Sequence, residues 1–445
     1  MAQSPLPAPD PDLQTGLQFL RAGWFDRAEP LFRSALARHG DRPDILHFLA
    51  ACHFQRGAIA EAEGLWRRAL ARDPNEPMLH YNLGMAAQKL GRHDEATRRF
   101  RDTIRRAPGH IEARLALSAS LLELGRFAAA ERELAEIAGN LDQAMTASAE
   151  GAQLRPLQAR TRNMRGYALY RMQKSLEALE ELDAAWTLAD DDPRRAQIKG
   201  DRALALILAA RREEAQLDIE EALRLQPENA NLHHIKGFVL FHSGQAAAAI
   251  PPLQQALKLD PGFQPALKTL ALAQAETGAA DDAAAALRRA LEIAPGDGEA
   301  VVQLSLVQIE RGQPQAALDL LESHLKRAPD DTAALNNAAL ALLALKRFDD
   351  AHRLLRRAQK IDDNDPLVMV NLGRALVGLG RAAEARPLHE RALAALPGDP
   401  RFLAHLGACL FALDERVSGQ ALLDEALAAA PTNTDVLAVR AALGL

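Results

Sequence analysis

The chain has 445 residues, of which 48% are apolar, 25% charged and only 4% aromatic, and its formal net charge is −6. Basic and acidic residues are interspersed, so no basic stripe marks a nucleic-acid interface, and no apolar run is long enough to span a bilayer. Cys52 and Cys409 are its two cysteines; so far apart in sequence, they exclude a disulfide scaffold and read as small core residues in a reducing compartment.

Residues 1–8 form a proline-containing start with no basic stretch leading into an apolar core, so they read as a flexible tail and not as a signal peptide. A first unit over 9–42 places Gly16, Gly23, Ala28 and Phe32 in a cadence that then recurs. It returns as Leu49-Ala50, Gly57, Ala62, Trp66, Pro74, and as Tyr81-Asn82-Leu83-Gly84, Gly91, Ala96, Phe100, Pro108. Farther along it gives Gly237, Gly244, Ala249, Leu253, Pro261, then Ala271, Gly278, Ala283, Leu287, Pro295. Leu372-Gly373, Gly380, Ala385, His389, Pro397 and Leu406-Gly407, Leu423, Ala426, Pro431 complete the series. The unit-ending prolines Pro74, Pro108, Pro227, Pro261, Pro295, Pro329, Pro397 and Pro431 are spaced 34, 119, 34, 34, 34, 68 and 34 residues apart. The 68 is two periods, and the 119 is three periods with 17 residues over. Small residues let two helix backbones approach, and proline marks helix ends because it lacks the N–H and restricts the residue before it.

A 34-residue cadence of this kind resembles the tetratricopeptide repeat family, over nearly the whole chain. The resemblance implies an all-α fold: a right-handed α-solenoid superhelix of about twelve helix–turn–helix units. Units one to four are expected over 9–144, an irregular insertion over 145–158, and units five to twelve over 159–432. A C-terminal capping helix is expected over 433–445, with Val436, Leu437, Val439 and Leu443 closing the last groove. The surplus length around 139–159 is expected as a longer or extra helix that offsets the two runs of units.

Family resemblance also implies that the first helix of each unit lines a concave surface. The matching positions give Tyr81, Met85, Tyr167, Tyr170, His234, Phe238, Phe241 and His242 as candidate partner contacts, with Phe48, Phe54 and Phe411 beside them. All 3 tyrosines of the chain fall in this set; tyrosine offers apolar area and a hydroxyl at low entropic cost. Asn82, Asn337 and Asn371 share one place in their units, similar to the inner asparagine row of O-linked N-acetylglucosamine transferase repeats, which clasp extended peptide. Arg374 follows one turn after Asn371. The lysine, asparagine and arginine set by which chaperone-binding relatives grip a C-terminal carboxylate is not assembled: His47 and Ala51 stand at the matching places before Asn82, Asn336 and Leu340 before Asn371, and Arg401 and His405 beyond it.

No catalytic constellation emerges. The sequence has no phosphate-binding loop, no His-Glu-x-x-His, no Cys-x-x-Cys and no Gly-x-Ser-x-Gly elbow. Gly378-Leu379-Gly380 lacks a preceding strand. The runs Asp190-Asp191-Asp192 and Asp362-Asp363-Asn364-Asp365 fall between units, where such residues cap helices and shape turns. His233-His234 point about 100° apart on a helix, which disfavours a metal pair. No cofactor and no metal are expected. The reading is a non-enzymatic cytoplasmic scaffold, of bacterial composition, that binds a protein or peptide partner in its groove, and neither nucleic acid nor membrane. The rival is a substrate-recruiting subunit of a separately encoded glycosyl- or sulfotransferase. A homodimer through the N-terminal unit, whose Leu13, Leu17, Phe19 and Leu20 have no cap before them, is a further expectation.

Overall fold

The structure, a computed structural model, describes residues 10–147 and 149–445. The tail expected over 1–8 lies outside the described residues. Two compact units divide the chain, Met1–Pro227 and Glu228–Leu445.

In the first unit, helices pair in antiparallel fashion as α1 (Pro11–Arg21) with α2 (Phe25–His39), α3 (Pro43–Gln55) with α4 (Ile59–Arg72), and α5 (Pro77–Lys89) with α6 (His93–Arg106). Three further pairs follow: α7 (Ile111–Glu123) with α8 (Phe127–Ala147), α9 (Arg155–Arg171) with α10 (Ser175–Leu188), and α11 (Asp192–Leu208) with α12 (Arg212–Leu225). The second unit repeats the scheme with α13 (Ala230–His242) and α14 (Ala246–Leu259), α15 (Gln264–Glu276) and α16 (Ala280–Ile293), and α17 (Gly298–Glu310) and α18 (Pro314–Leu325). It ends with α19 (Thr332–Ala344) and α20 (Phe348–Ile361), α21 (Pro366–Gly378) and α22 (Ala382–Ala395), α23 (Pro400–Ala412) and α24 (Arg416–Ala429), and the single helix α25 (Thr434–Ala442). Each unit is therefore an all-α stack of helix pairs, the solenoid architecture the period implies.

Local chemistry sets the helix ends. Odd-numbered helices start on capping side chains: Asp10, Asp191, Asn229, Asp297, Asp331, Asp365, Asp399 and Asn433 each accept a backbone N–H from the first turn. The two acidic runs thus act as caps and turns, with Asp365 accepting from the N–H groups of Leu367 and Val368. Within a pair the chain reverses through a left-handed residue. Gly91 has φ +70, its N–H donates to Gln88, and the next N–H, of Arg92, donates to Ala87 at 2.8 Å. That is the reversed helix stop glycine favours. Gln173, Ala210, Lys346 and Asp414 occupy the same left-handed place without being glycine.

The core is one large side chain per pair, projecting from the even helix toward a small residue of the odd one. Phe32, Trp66, Phe100, Leu134, Leu182 and Ile219 fill this role in the first unit; Leu253, Leu287, Leu321, Leu355, His389 and Leu423 fill it in the second. All are buried, and eleven of the twelve are apolar. Burying each apolar one contributes roughly 1.5–3 kcal/mol. The alanine one turn earlier, such as Ala96 or Ala351, is fully buried and holds the backbones close.

The 17-residue surplus becomes helix. α8 has 21 residues where α6 has 14, and α9 and α11 each have 17 where α5 has 13. A 3-10 segment, Ala149–Leu154, joins α8 to α9. Part of the surplus thus lies beyond 139–159, in α11.

Leu13, Leu17, Phe19 and Leu20 pack on Phe32, Leu49 and Cys52 of their own unit. At the other end Val436 is fully buried beside Leu403 and Leu423, with Val439 and Leu443 packed around it, as a capping helix requires; Leu437 instead stays 43% exposed. Cys52 and Cys409 are buried free thiols, which desolvation pushes up to about 11. No helix among the described residues is long and apolar enough to cross a membrane.

Candidate functional face

Within each unit, neighbouring odd helices also pack on one another, for example α5 on α7, α9 on α11, α19 on α21 and α21 on α23. Their outward side chains therefore form one continuous face per unit, and side chains tie it together from pair to pair. In the first unit Asn82 Nδ2 meets His47 Nδ1 at 3.2 Å, Gln88 donates to Ser120 Oγ at 3.2 Å, and Asn163 donates to Asp201 at 2.9 Å. In the second, His234 Nε2 and Thr269 Oγ1 are 3.2 Å apart, and His405 meets Asp435 at 2.9 Å.

Two of the expected partner contacts take part in this ladder. Asn337 is buried and its amide donates to Val302 O at 3.1 Å and Ser305 Oγ at 3.2 Å. Asn371 is buried as well, donates to Asn336 Oδ1 at 2.9 Å and accepts from Arg374 at 3.0 Å. Both amides are engaged between helices, because the place just before the apolar–small pair faces the preceding odd helix. Phe241, partly buried, packs against the core that holds Ala249 and Leu253. His234 lies edge-on to Phe263, 5.3 Å between ring centres, and burial lowers it to about 4, so it is a neutral tie between α13 and α15.

The remaining candidates border the face. Tyr81 rests on the His110 ring at 4.9 Å and the Phe100 ring at 5.9 Å, and with Met85 it flanks the core of its pair. Tyr167 and Tyr170 lie 6.1 Å apart on α9, and Arg171 donates to the Tyr167 hydroxyl at 3.0 Å. Phe238 is half-buried, with the exposed His242 ring 4.1 Å away. The Arg374 stem is enclosed, and burial moves its guanidinium below the usual arginine value.

What the residue-by-residue reading missed is a row. Phe238, Leu272, Leu306 and Leu340 recur every 34 residues on α13, α15, α17 and α19, followed in register by Arg374 and Ala408. Leu272 is 38% and Leu306 41% exposed. The signal was in the sequence: aligning the units by period and reading one column, rather than searching for aromatics, returns these residues.

Tetratricopeptide repeat family models match residues 19–86, 87–139, 240–305, 308–369 and 376–443, and a second such model matches 201–262. No curated protein sequence matches this one. Among solved structures, the Cut9–Hcn1 hetero-tetramer of the APC/C resembles this chain with a TM-score of 0.52 at 15% identity, covering 95% of this chain and 94% of that one. Yeast Tom70 matches at a TM-score of 0.45 and 16% identity over 97% of this chain and 94% of that one. With family models covering well over half of its length and the helix pairs, left-handed turns and buried plugs recurring at the same period, the chain belongs to the tetratricopeptide repeat family.

Proposed function

We propose that this protein is a non-catalytic scaffold that docks a segment of a partner protein against the odd-helix face of its second unit. The observation that carries the reading is the row Phe238, Leu272, Leu306 and Leu340, apolar side chains at one repeating position of the odd helices, of which Leu272 and Leu306 are exposed. Contiguous exposed apolar surface of this kind marks interaction sites. A few such anchors supply most of the binding energy. The structural relative with the same fold, Cut9, is itself found in a hetero-tetramer with Hcn1, which agrees with a partner-binding role.

The test uses a photo-crosslinking residue at 272 or 306, with Val417 as control, an 86% exposed apolar position on the even helix α24. One protein crosslinking from 272 and 306 but not from 417, and lost on Leu272→Asp with Leu306→Asp, is the expected result. Equal crosslinking from all three positions means the row is not the docking face.

A further inference from the structure

The odd-helix face of the first unit holds a polar cluster that the helix ladder does not explain. Asp201, on α11, is only 9% exposed, and among the described residues it forms no ion pair. Its one hydrogen bond comes from the Asn163 amide at 2.9 Å. Asn163 is 5% exposed and its own carbonyl oxygen, Oδ1, is buried without a partner. The Tyr170 phenol stands two turns after Asn163 on the same face of α9, near enough for the Asp201 charge to act on it. Of these acceptors, the Asn163 carbonyl oxygen lacks the donor that burial demands, and the Asp201 carboxyl has only the Asn163 amide.

Surrounding charges do not fill the gap. On α9, Arg162 pairs with Asp142 and Glu181, and Arg165 with Glu131 and Glu181. Exposed Arg160 acts on Tyr81. On α11 itself, Lys199 is held by Asp218 and Glu221 of α12, and Arg202 by Asp183 of α10 and by Asp218. Only burial and the Asn163 amide set the Asp201 carboxyl, and burial pushes it up to about 7.

We propose that Asp201, Asn163 and Tyr170 form a receptor for one primary ammonium group, a lysine side chain of the bound partner. An ammonium has three N–H donors, one for each of the three oxygens, and the Tyr170 ring offers its apolar stem a wall and its charge a π face. The inference rests on the proposed docking role of the odd helices and extends it from the second unit to the face of the first, where it gives one contact a chemical identity. Because the carboxyl is half-protonated near neutrality when empty and charged when paired, lysine binding releases a proton below that point and strengthens as pH rises.

The test titrates the full chain with the peptide Ac-Ala-Ala-Lys-Ala-Ala-NH2, its norleucine and Nε-acetyl-lysine counterparts, and a norleucine peptide with a free α-amine. Expected is tightest binding of the lysine peptide, by at least tenfold over the others, rising about tenfold between pH 6 and pH 8 with proton release seen in buffers of different ionisation enthalpy. Asp201→Asn should remove the preference and the pH dependence, and Tyr170→Phe, which keeps the ring, should weaken binding several-fold. If Asp201→Asn does not fold, the wild-type pH profile and Tyr170→Phe decide. Equal binding of lysine and norleucine peptides, or wild-type behaviour of Asp201→Asn, overturns the assignment. Preference for the free α-amine overturns the side-chain source in favour of a partner N-terminus. A partner that crosslinks at 272 and 306 while no lysine preference appears refutes this receptor and leaves the docking face standing.

Discussion

His389 is the residue most at odds with its surroundings. It occupies the plug position of α22, 1% exposed, with both ring nitrogens buried and unpartnered, where eleven counterparts are apolar. The Gly373 backbone lies directly beneath its ring, leaving no room for a bridging group on that side. Leaving such a polar group unpaired costs on the order of 1–3 kcal/mol, so His389→Leu is expected to stabilise the second unit by about that much at pH 7, read from urea unfolding. Acid should widen the gap. Burial lowers this imidazole to about 3, so below pH 6.5 the unfolded chain takes up a proton that the folded chain refuses, and stability falls with pH. One such histidine costs about 2 kcal/mol between pH 7 and pH 5, and His389→Leu should lose that dependence. An unchanged pH slope in the variant would show that other groups govern it.

At the scale of the helix pair, the decisive contact is small against large. A Cβ built on Gly84 of α5 would sit 2.6 Å from the Phe100 ring of α6. Gly84→Ala must therefore push the helices apart or rotate the ring, at a cost of about 1–3 kcal/mol, even though alanine has the higher helix propensity. Phe100→Leu added to Gly84→Ala should recover part of the loss if the clash is the cause. Additive losses in a double-mutant cycle would place it elsewhere. The helix lengths obey the same logic: α8, α9 and α11 accommodate extra residues by adding turns, since an even and an odd helix still meet through one plug and one small residue.

At the scale of the molecule, the described helix pairs within each unit pack on their immediate neighbours, so each unit's stability is close to a sum of local terms and terminal pairs depend on their caps. Removing α25 would expose the surface around Leu403 and Leu423 that Val436 covers. A chain ending at residue 432 is expected to lose amide protection in α23 and α24 first, by hydrogen exchange, while α13 to α18 keep theirs. Uniform loss across the second unit would show longer-range cooperativity than nearest-neighbour packing gives.

The period by itself determined the fold class, the pairing of helices, the buried plugs and the capping helix, because a buried plug, a close-approach residue and a helix stop each demand a particular residue type at a fixed offset. The period also placed Tyr81, Tyr167, Tyr170 and Phe238 on odd helices, where they lie half-buried. Only the tertiary structure decided which polar residues are available to a partner. Asn337 and Asn371 look like ligand readers in sequence, yet their amides bond the preceding odd helix. Asp201 looks like one surface acid among many, yet α9 and α11 enclose it beside an unpartnered carbonyl. A hydrogen-bonding residue type declares what it can bond, and only the distance to the neighbouring repeat declares whether that bond is already made.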